Sequence, residues 1–182
     1  EAPSDVSWAT TLGYIYLGQG DPKRAFSLFA SLISGNPGDA DVQRLLAAAE
    51  SARRSGDPAE AVRILEQAYD KYPLDPAVMN NLVYTLAMDR NGLQRALDLL
   101  PKMREVCGES FASAETTALV YSRGGDVDRA IDYLRKAGEL VEKTDQAWFL
   151  VNPEMFDVEA YGQSASGRDG VNRDDLIATA KE

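Results

Sequence analysis

The sequence predicts an all-α fold in which antiparallel helix pairs stack as an α-solenoid, followed by a C-terminal helical cap. Three observations support this fold class. A register of small and large apolar residues recurs at a nearly constant spacing. A second helical pattern precedes each copy of the register, and turn residues separate the predicted helices. A helix pair alone cannot bury both of its apolar faces, so such pairs are expected to stack.

The recurring register begins at an alanine in the second helix of each predicted pair. Each alanine follows the previous one after 34 to 36 positions, and a large apolar residue stands four positions further on. The alanines are Ala25, Ala61, Ala96 and Ala130, and their large partners are Phe29, Leu65, Leu100 and Leu134. Residues spaced by four lie on one face of a helix. We therefore expect the alanines to be buried where paired helices approach closely.

The first helix of each pair carries small residues of its own, at Gly13, Ala49 and Ala118. Asp-Pro dipeptides mark helix starts at 21–22, 57–58 and 75–76, because Asp caps a helix and proline suits its first position. Ser110 and Asp126 are expected to cap the two helices of the fourth pair. The helices that precede Gly20, Gly56 and Gly125 are expected to end at these glycines. The predicted helices span about 6–18, 22–34, 40–54, 58–71, 76–89, 92–105, 111–123 and 127–142.

Residues 6–142 resemble four tetratricopeptide repeats. The first unit matches the family pattern at Leu12, Gly13, Tyr16, Gly20, Ala25, Phe29 and Pro37, and the second at Gly56, Ala61, Leu65, Ala68 and Pro73. The third and fourth units are more degenerate, with Gly108 in place of the terminal proline and Thr117 in place of the usual leucine. The resemblance implies a right-handed superhelix of pairs at about 6–39, 40–74, 75–109 and 110–142, after a lead-in at 1–5.

The pattern stops near residue 142, and residues 143–182 are expected to form a C-terminal capping segment. Pro153 falls where a fifth repeat would continue its first helix. The segment is rich in large apolar residues for a solvent-facing tail, which suits a cap over the fourth pair; they are Trp148, Phe149, Met155, Phe156 and Tyr161. A docking element for another chain or domain is the alternative.

Composition disfavours several classes of function. The net charge of -10 disfavours binding to nucleic acid or anionic lipid, and no apolar run is long enough to cross a membrane. His is absent, which removes the commonest general base and metal ligand. The one cysteine, Cys107, forms no internal disulfide and no cysteine-rich zinc site. We therefore expect neither an enzyme nor a bound metal or cofactor.

The resemblance also implies which side chains line the concave side of the superhelix. They are Thr10, Tyr14, Leu17, Glu50, Arg53, Arg54, Asn80, Tyr84, Met88, Glu115, Leu119 and Arg123. The two tyrosines offer contact area, and the three arginines offer donors for an acidic residue of a bound peptide. Structural roles are the alternative: Arg53 can pair with Glu50 three residues back, and Tyr14 can pack against the next helix.

The sequence thus predicts a non-catalytic scaffold that binds a peptide or segment of a partner protein in the concave groove. The alternative is an architectural role, as the C-terminal part of a longer repeat array or as a homo-oligomer in a multiprotein assembly; usage of the family points to a bacterial envelope or secretion assembly. The start at Glu1, without Met, fits a cut fragment or a removed leader. Cytoplasmic and periplasmic locations therefore both stay open.

Overall fold

A computed structural model describes residues 5–35, 41–89 and 91–143, which form eight helices and no strand. The helices are α1 (Asp5–Gly18), α2 (Pro22–Gly35), α3 (Val42–Arg54), α4 (Pro58–Lys71), α5 (Pro76–Met88), α6 (Leu93–Cys107), α7 (Phe111–Arg123) and α8 (Val127–Lys143). Each end lies within two residues of its predicted position, and the all-α prediction is confirmed. The predicted capping segment beyond Lys143 lies outside the described residues.

The chain divides into two compact units, Glu1–Thr85 and Leu86–Glu182. In the first unit α1 packs against α2, α2 against α3, and α3 against α4. Ala25 and Ala61 are buried, as the register predicts. Gly13 lets α1 and α2 approach closely, since a Cβ atom there would lie 2.6 Å from Cζ of Phe29. The small residues therefore set the distance between paired helices.

In the second unit α6 packs against α7, and α7 against α8. Ala96, Ala118 and Ala130 are buried, again as predicted. The turn before α6 differs from the others, because a Cβ atom on Gly92 would lie 2.4 Å from the carbonyl oxygen of Leu86. A capping Asp or Ser does not fit at this position. Helix α6 therefore begins after Gly92 without a side-chain hydrogen bond to its first turn.

Helix starts and turns repeat one geometry in several pairs. The carboxylates of Asp21, Asp57, Asp75 and Asp126 each accept a hydrogen bond from the backbone N–H three residues on, at 3.0–3.1 Å. Gly56 and Gly125 adopt φ angles of 90° and 81°, in the left-handed region. The N–H of Asp57 then donates to the carbonyl of Ala52 at 3.0 Å. The predicted Gly-Asp turns thus form as short Schellman-type reversals.

Candidate functional site

In the first unit, the structure brings together three of the side chains predicted to line the concave side. Arg53 donates to the Glu50 carboxylate through Nε at 2.9 Å and Nη2 at 2.8 Å. Its guanidinium carbon lies 5.7 Å from the centre of the Tyr84 ring. We call Glu50, Arg53 and Tyr84 the Arg53 cluster. The Arg53 guanidinium and the Tyr84 ring form a cation–π pair, and the Glu50 carboxylate compensates the positive charge of Arg53.

Local structure explains why the cluster forms. Arg53 lies in the last turn of α3, where a positive charge is favourable beside the helix C-terminus. Glu50 lies one turn earlier on the same helix and fixes the guanidinium in a bidentate pair. Tyr84 comes from α5. The ion pair given above as the structural alternative for Arg53 is therefore present, whereas the contact between Arg53 and Tyr84 was not predicted.

Asn80 stands one turn before Tyr84, on the same face of α5. Its Oδ1 atom is buried and has no hydrogen-bond partner. The neighbouring Asn81 differs, because its Nδ2 donates to the carbonyl oxygen of Ala77 at 2.8 Å. A buried acceptor without a partner costs about 1–3 kcal/mol, so an N–H group that reached Asn80 would recover that free energy.

The predicted residues of α1 and the end of α3 have mixed roles. Tyr14 is part-exposed, and its ring meets Phe29 edge-on at a centroid distance of 5.3 Å. Burial raises the pKa of the Tyr14 hydroxyl, and the Asp41 carboxylate raises it further.

The Thr10 hydroxyl donates within its own helix to the carbonyl of Val6 at 2.7 Å, which leaves it a weak candidate for ligand contact. Leu17 is half-buried, and Arg54 is exposed.

In the second unit, Met88 and Arg123 lie together. Nη2 of Arg123 is 3.6 Å from the Met88 sulfur, and Nε of Arg123 is buried without a hydrogen-bond partner. Glu115 and Leu119, by contrast, are only 6% and 1% exposed, although the resemblance places them on a ligand surface. Desolvation by burial raises the pKa of Glu115 to about 7.

The burial of Glu115 and Leu119 follows from the composition of α7. Every side chain from Ser113 to Val120 is buried, on all faces of the helix. Alanine, serine and threonine dominate this stretch, and small side chains let neighbouring segments approach closely. The sequence carries that signal, since a helix without a polar face is typically buried all round.

A shallow pocket of about 110 Å³ in the second unit involves none of the predicted site residues. Arg104, Tyr133 and Lys136 line it at the junction of α6, α7 and α8. Its cations have protein partners, because Arg104 lies 5.1 Å from the centre of the Tyr133 ring and Lys136 pairs with Glu109. We therefore assign it no ligand.

Within the described ranges, no cluster of three or more His, Cys, Asp or Glu residues could hold a metal ion. No helix in the same ranges is long and apolar enough to span a membrane. Cys107, the one cysteine of the chain, is half-buried.

Comparisons with known proteins place the fold. The sequence model of the tetratricopeptide repeat family matches residues 42–85, and a comparison with curated proteins gives no match. Similar solved structures include MamA MSR-1, with a TM-score of 0.62 and 20% identity over 78% of this chain and 79% of that chain. TTC0263, a thermophilic TPR protein of Thermus thermophilus, has a TM-score of 0.64 and 19% identity over 97% of both chains.

A third structure contains the TPR-like repeats of a putative kinesin light chain of Podosopora anserina, with a TM-score of 0.64 and 19% identity over 100% of this chain and 95% of that chain. At such identities the likeness shows the fold alone. The match at residues 42–85 begins with the first helix of the second predicted repeat and covers both α3 and α4. Residues 42–85 therefore match the tetratricopeptide repeat, and the chain has the all-α fold of solved tetratricopeptide-repeat structures.

Proposed function

We propose that this chain is a non-catalytic protein-interaction scaffold, and that its first unit binds an extended peptide segment of a partner protein beside the Arg53 cluster. One observation carries the proposal: the buried Oδ1 of Asn80 has no partner and stands one turn from Tyr84. A peptide backbone N–H is the simplest group that completes it. The repeat family, whose members bind diverse peptides and proteins, supports the general role.

The Arg53 cluster supports the proposal because it is already ordered. Glu50 holds the Arg53 guanidinium through two hydrogen bonds, and Arg53 in turn lies over the Tyr84 ring. Immobilising a flexible side chain on binding costs about 0.5–1.5 kcal/mol, and a prearranged surface avoids much of this cost. The Tyr84 ring offers apolar contact to a ligand side chain placed next to the backbone N–H that Asn80 accepts.

The pairing of Arg53 with Glu50 changes the chemistry expected of the ligand. Because Glu50 compensates Arg53, Coulomb attraction by this arginine for an acidic residue is reduced. We therefore propose that an apolar side chain and a backbone N–H dominate recognition by the first unit, with Arg54 at the exposed end of α3 favouring a nearby carboxylate. Ordering a free peptide offsets much of the contact energy, so affinities should be micromolar, or about 8 kcal/mol.

In the second unit, Met88 and Arg123 remain candidates for a separate contact, since Nε of Arg123 could donate to a carbonyl or carboxylate oxygen. Glu115 and Leu119 are left out of the proposed contact set because their side chains are buried. The proposal thus keeps Asn80, Tyr84 and the Arg53–Glu50 pair as its central residues.

The test is selection of binders from a random peptide library on the 182-residue chain, followed by calorimetric titration of the best peptide. Tyr84→Ala and Asn80→Ala should each weaken binding at least fivefold, with little change in salt dependence. Tyr72→Ala is the matched control, because a cation also lies over that ring, Lys71 at 5.4 Å, but at the end of α4. Peptides that bind both cluster variants with unchanged affinity would refute the proposal.

A further inference from the structure

The sulfur of Met88 lies beside a guanidinium whose donors it satisfies poorly. Met88 is the last residue of α5, and Arg123 is the last residue of α7. Nη2 of Arg123 is 3.6 Å from the Met88 sulfur, and a thioether sulfur is a weak acceptor. Nε of Arg123 is buried and has no hydrogen-bond partner among the described residues. An oxygen acceptor at the position of the sulfur would serve both nitrogens.

Arg123 differs in this respect from several other arginines of the described ranges. Each of those forms an ion pair with a carboxylate three residues before it; they are Arg24, Arg44, Arg53, Arg63, Arg129 and Arg135. Val120 stands at the corresponding position before Arg123. The sequence around Arg123 therefore supplies no local carboxylate, and a buried donor without an acceptor is costly.

Met88 is also the most accessible of the three methionines that the structure describes. Met79 and Met103 are fully buried, whereas Met88 is half-buried. The fourth methionine of the chain, Met155, lies outside the described residues. Because a small oxidant must reach the sulfur before it can react, Met88 should be oxidised before Met79 and Met103.

We propose that Met88 is an oxidation site, and that Arg123 holds the sulfoxide that forms there. The oxidant is a peroxide, and the product is methionine sulfoxide. The sulfur attacks one peroxide oxygen, the O–O bond breaks, and the second oxygen leaves as hydroxide. The hydroxide takes up the proton of the transferred oxygen and becomes water. The sulfur thus loses two electrons, and the peroxide gains them.

The sulfoxide changes the chemistry of the contact with Arg123. Its polarised oxygen is a far better acceptor than the thioether sulfur, so Nε and Nη2 of Arg123 can donate to it. A sulfoxide without such a partner disrupts packing, because a polar group is costly to bury. Oxidation should therefore tie the end of α5 to the end of α7. This inference does not rest on the proposed peptide site, since neither Asn80 nor Tyr84 takes part in it.

The first measurement is the rate at which hydrogen peroxide oxidises each methionine of the folded 182-residue chain. Mass spectrometry of peptides, with fragmentation that separates Met79 from Met88, follows each sulfur. Met88 should react at least about tenfold faster than Met79 and Met103, and unfolding in guanidinium chloride should remove the difference. Equal rates for the three residues in the folded chain would overturn the proposal.

The second measurement isolates the role of Arg123, by thermal melts of each protein before and after oxidation. Oxidation should lower the Tm of Arg123→Ala by at least about 3 °C more than that of the wild type. Arg135→Ala is the matched control, because Arg135 also lies in the second unit but pairs with Asp132, and it should respond to oxidation like the wild type. Met88→Leu gives the shift caused by oxidation of other residues, which is subtracted.

A second variant guards against a change of fold in Arg123→Ala, which circular dichroism of the reduced protein detects. Arg123→Lys keeps the positive charge but lacks the guanidinium fork, so it should show part of the same extra loss. Equal shifts of Tm on oxidation in the wild type and in the folded Arg123 variants would overturn the assignment of Arg123 as the partner of the sulfoxide.

Discussion

Replacing Gly13 with alanine should destabilise the first unit, although alanine is the better helix former. An added Cβ atom would lie 2.6 Å from Cζ and 2.8 Å from Cε2 of Phe29. The ring cannot easily move away, because Phe29 is fully buried and meets the Tyr14 ring edge-on. Overpacking typically costs about 1–3 kcal/mol, while replacing a helical glycine gains about 1 kcal/mol. For so short a contact we expect a net loss of about 1–2 kcal/mol in the free energy of unfolding.

Urea denaturation followed by circular dichroism measures this loss. Gly18→Ala is the matched control in the same helix, because no atom lies within 4 Å of a Cβ placed there. It should leave stability unchanged or slightly raised. A double-mutant cycle with Phe29→Leu isolates the cause, since a smaller, more adaptable partner should relieve part of the cost of Gly13→Ala. A Gly13→Ala protein as stable as the wild type, or a coupling energy near zero, would refute the reasoning.

Two further predictions concern packing and pH. Ala61→Leu should lower the free energy of unfolding by about 1–3 kcal/mol, because Ala61 is fully buried at the contact of α3 with α4; an unchanged thermal midpoint would mean that the site has spare volume. Burial raises the pKa of Glu115 from its usual 4.5 to about 7, so the folded protein retains a proton that the unfolded chain releases. Stability should therefore fall as pH rises between these values, by up to about 3 kcal/mol from this group. Glu115→Gln should remove that slope in denaturation measured at pH 5 and pH 7.5, and equal slopes in both proteins would contradict it.

The fold was largely predictable because its determinants are local. Asp at a helix start and Gly at a turn act within three or four residues, so the ends of the helices could be placed closely. The burial of Ala25, Ala61, Ala96 and Ala130 followed from their recurring register, since the same packing geometry recurs in each repeat. Gly92 is the informative exception, because its close approach to the Leu86 backbone depends on a turn that departs from the repeat.

The candidate site was less predictable because its contacts join different helices. The pairing of Glu50 with Arg53 could be anticipated from their spacing of three on one helix. The position of Tyr84 against Arg53 and the unsatisfied Oδ1 of Asn80 depend on how α3 and α5 are placed, which the spacing does not specify. The burial of Glu115 does not follow from its place in the repeat, because it depends on the small residues around it on α7.

The residues that fix the spacing of the paired helices differ from the residues of the proposed peptide site. Close contacts such as Gly13 against Phe29 fix the distance between helices, and they tolerate little change. The Arg53 cluster lies outside the contact of Gly13 with Phe29, and it joins α3 to α5 through Arg53 and Tyr84. The pairing of Arg53 with Glu50 is explained by their spacing on α3, whereas the buried Oδ1 of Asn80 is left without a hydrogen-bond partner. The proposed peptide contact would supply that partner, and Asn80→Ala tests it without altering the contact of Gly13 with Phe29 that sets the helix spacing.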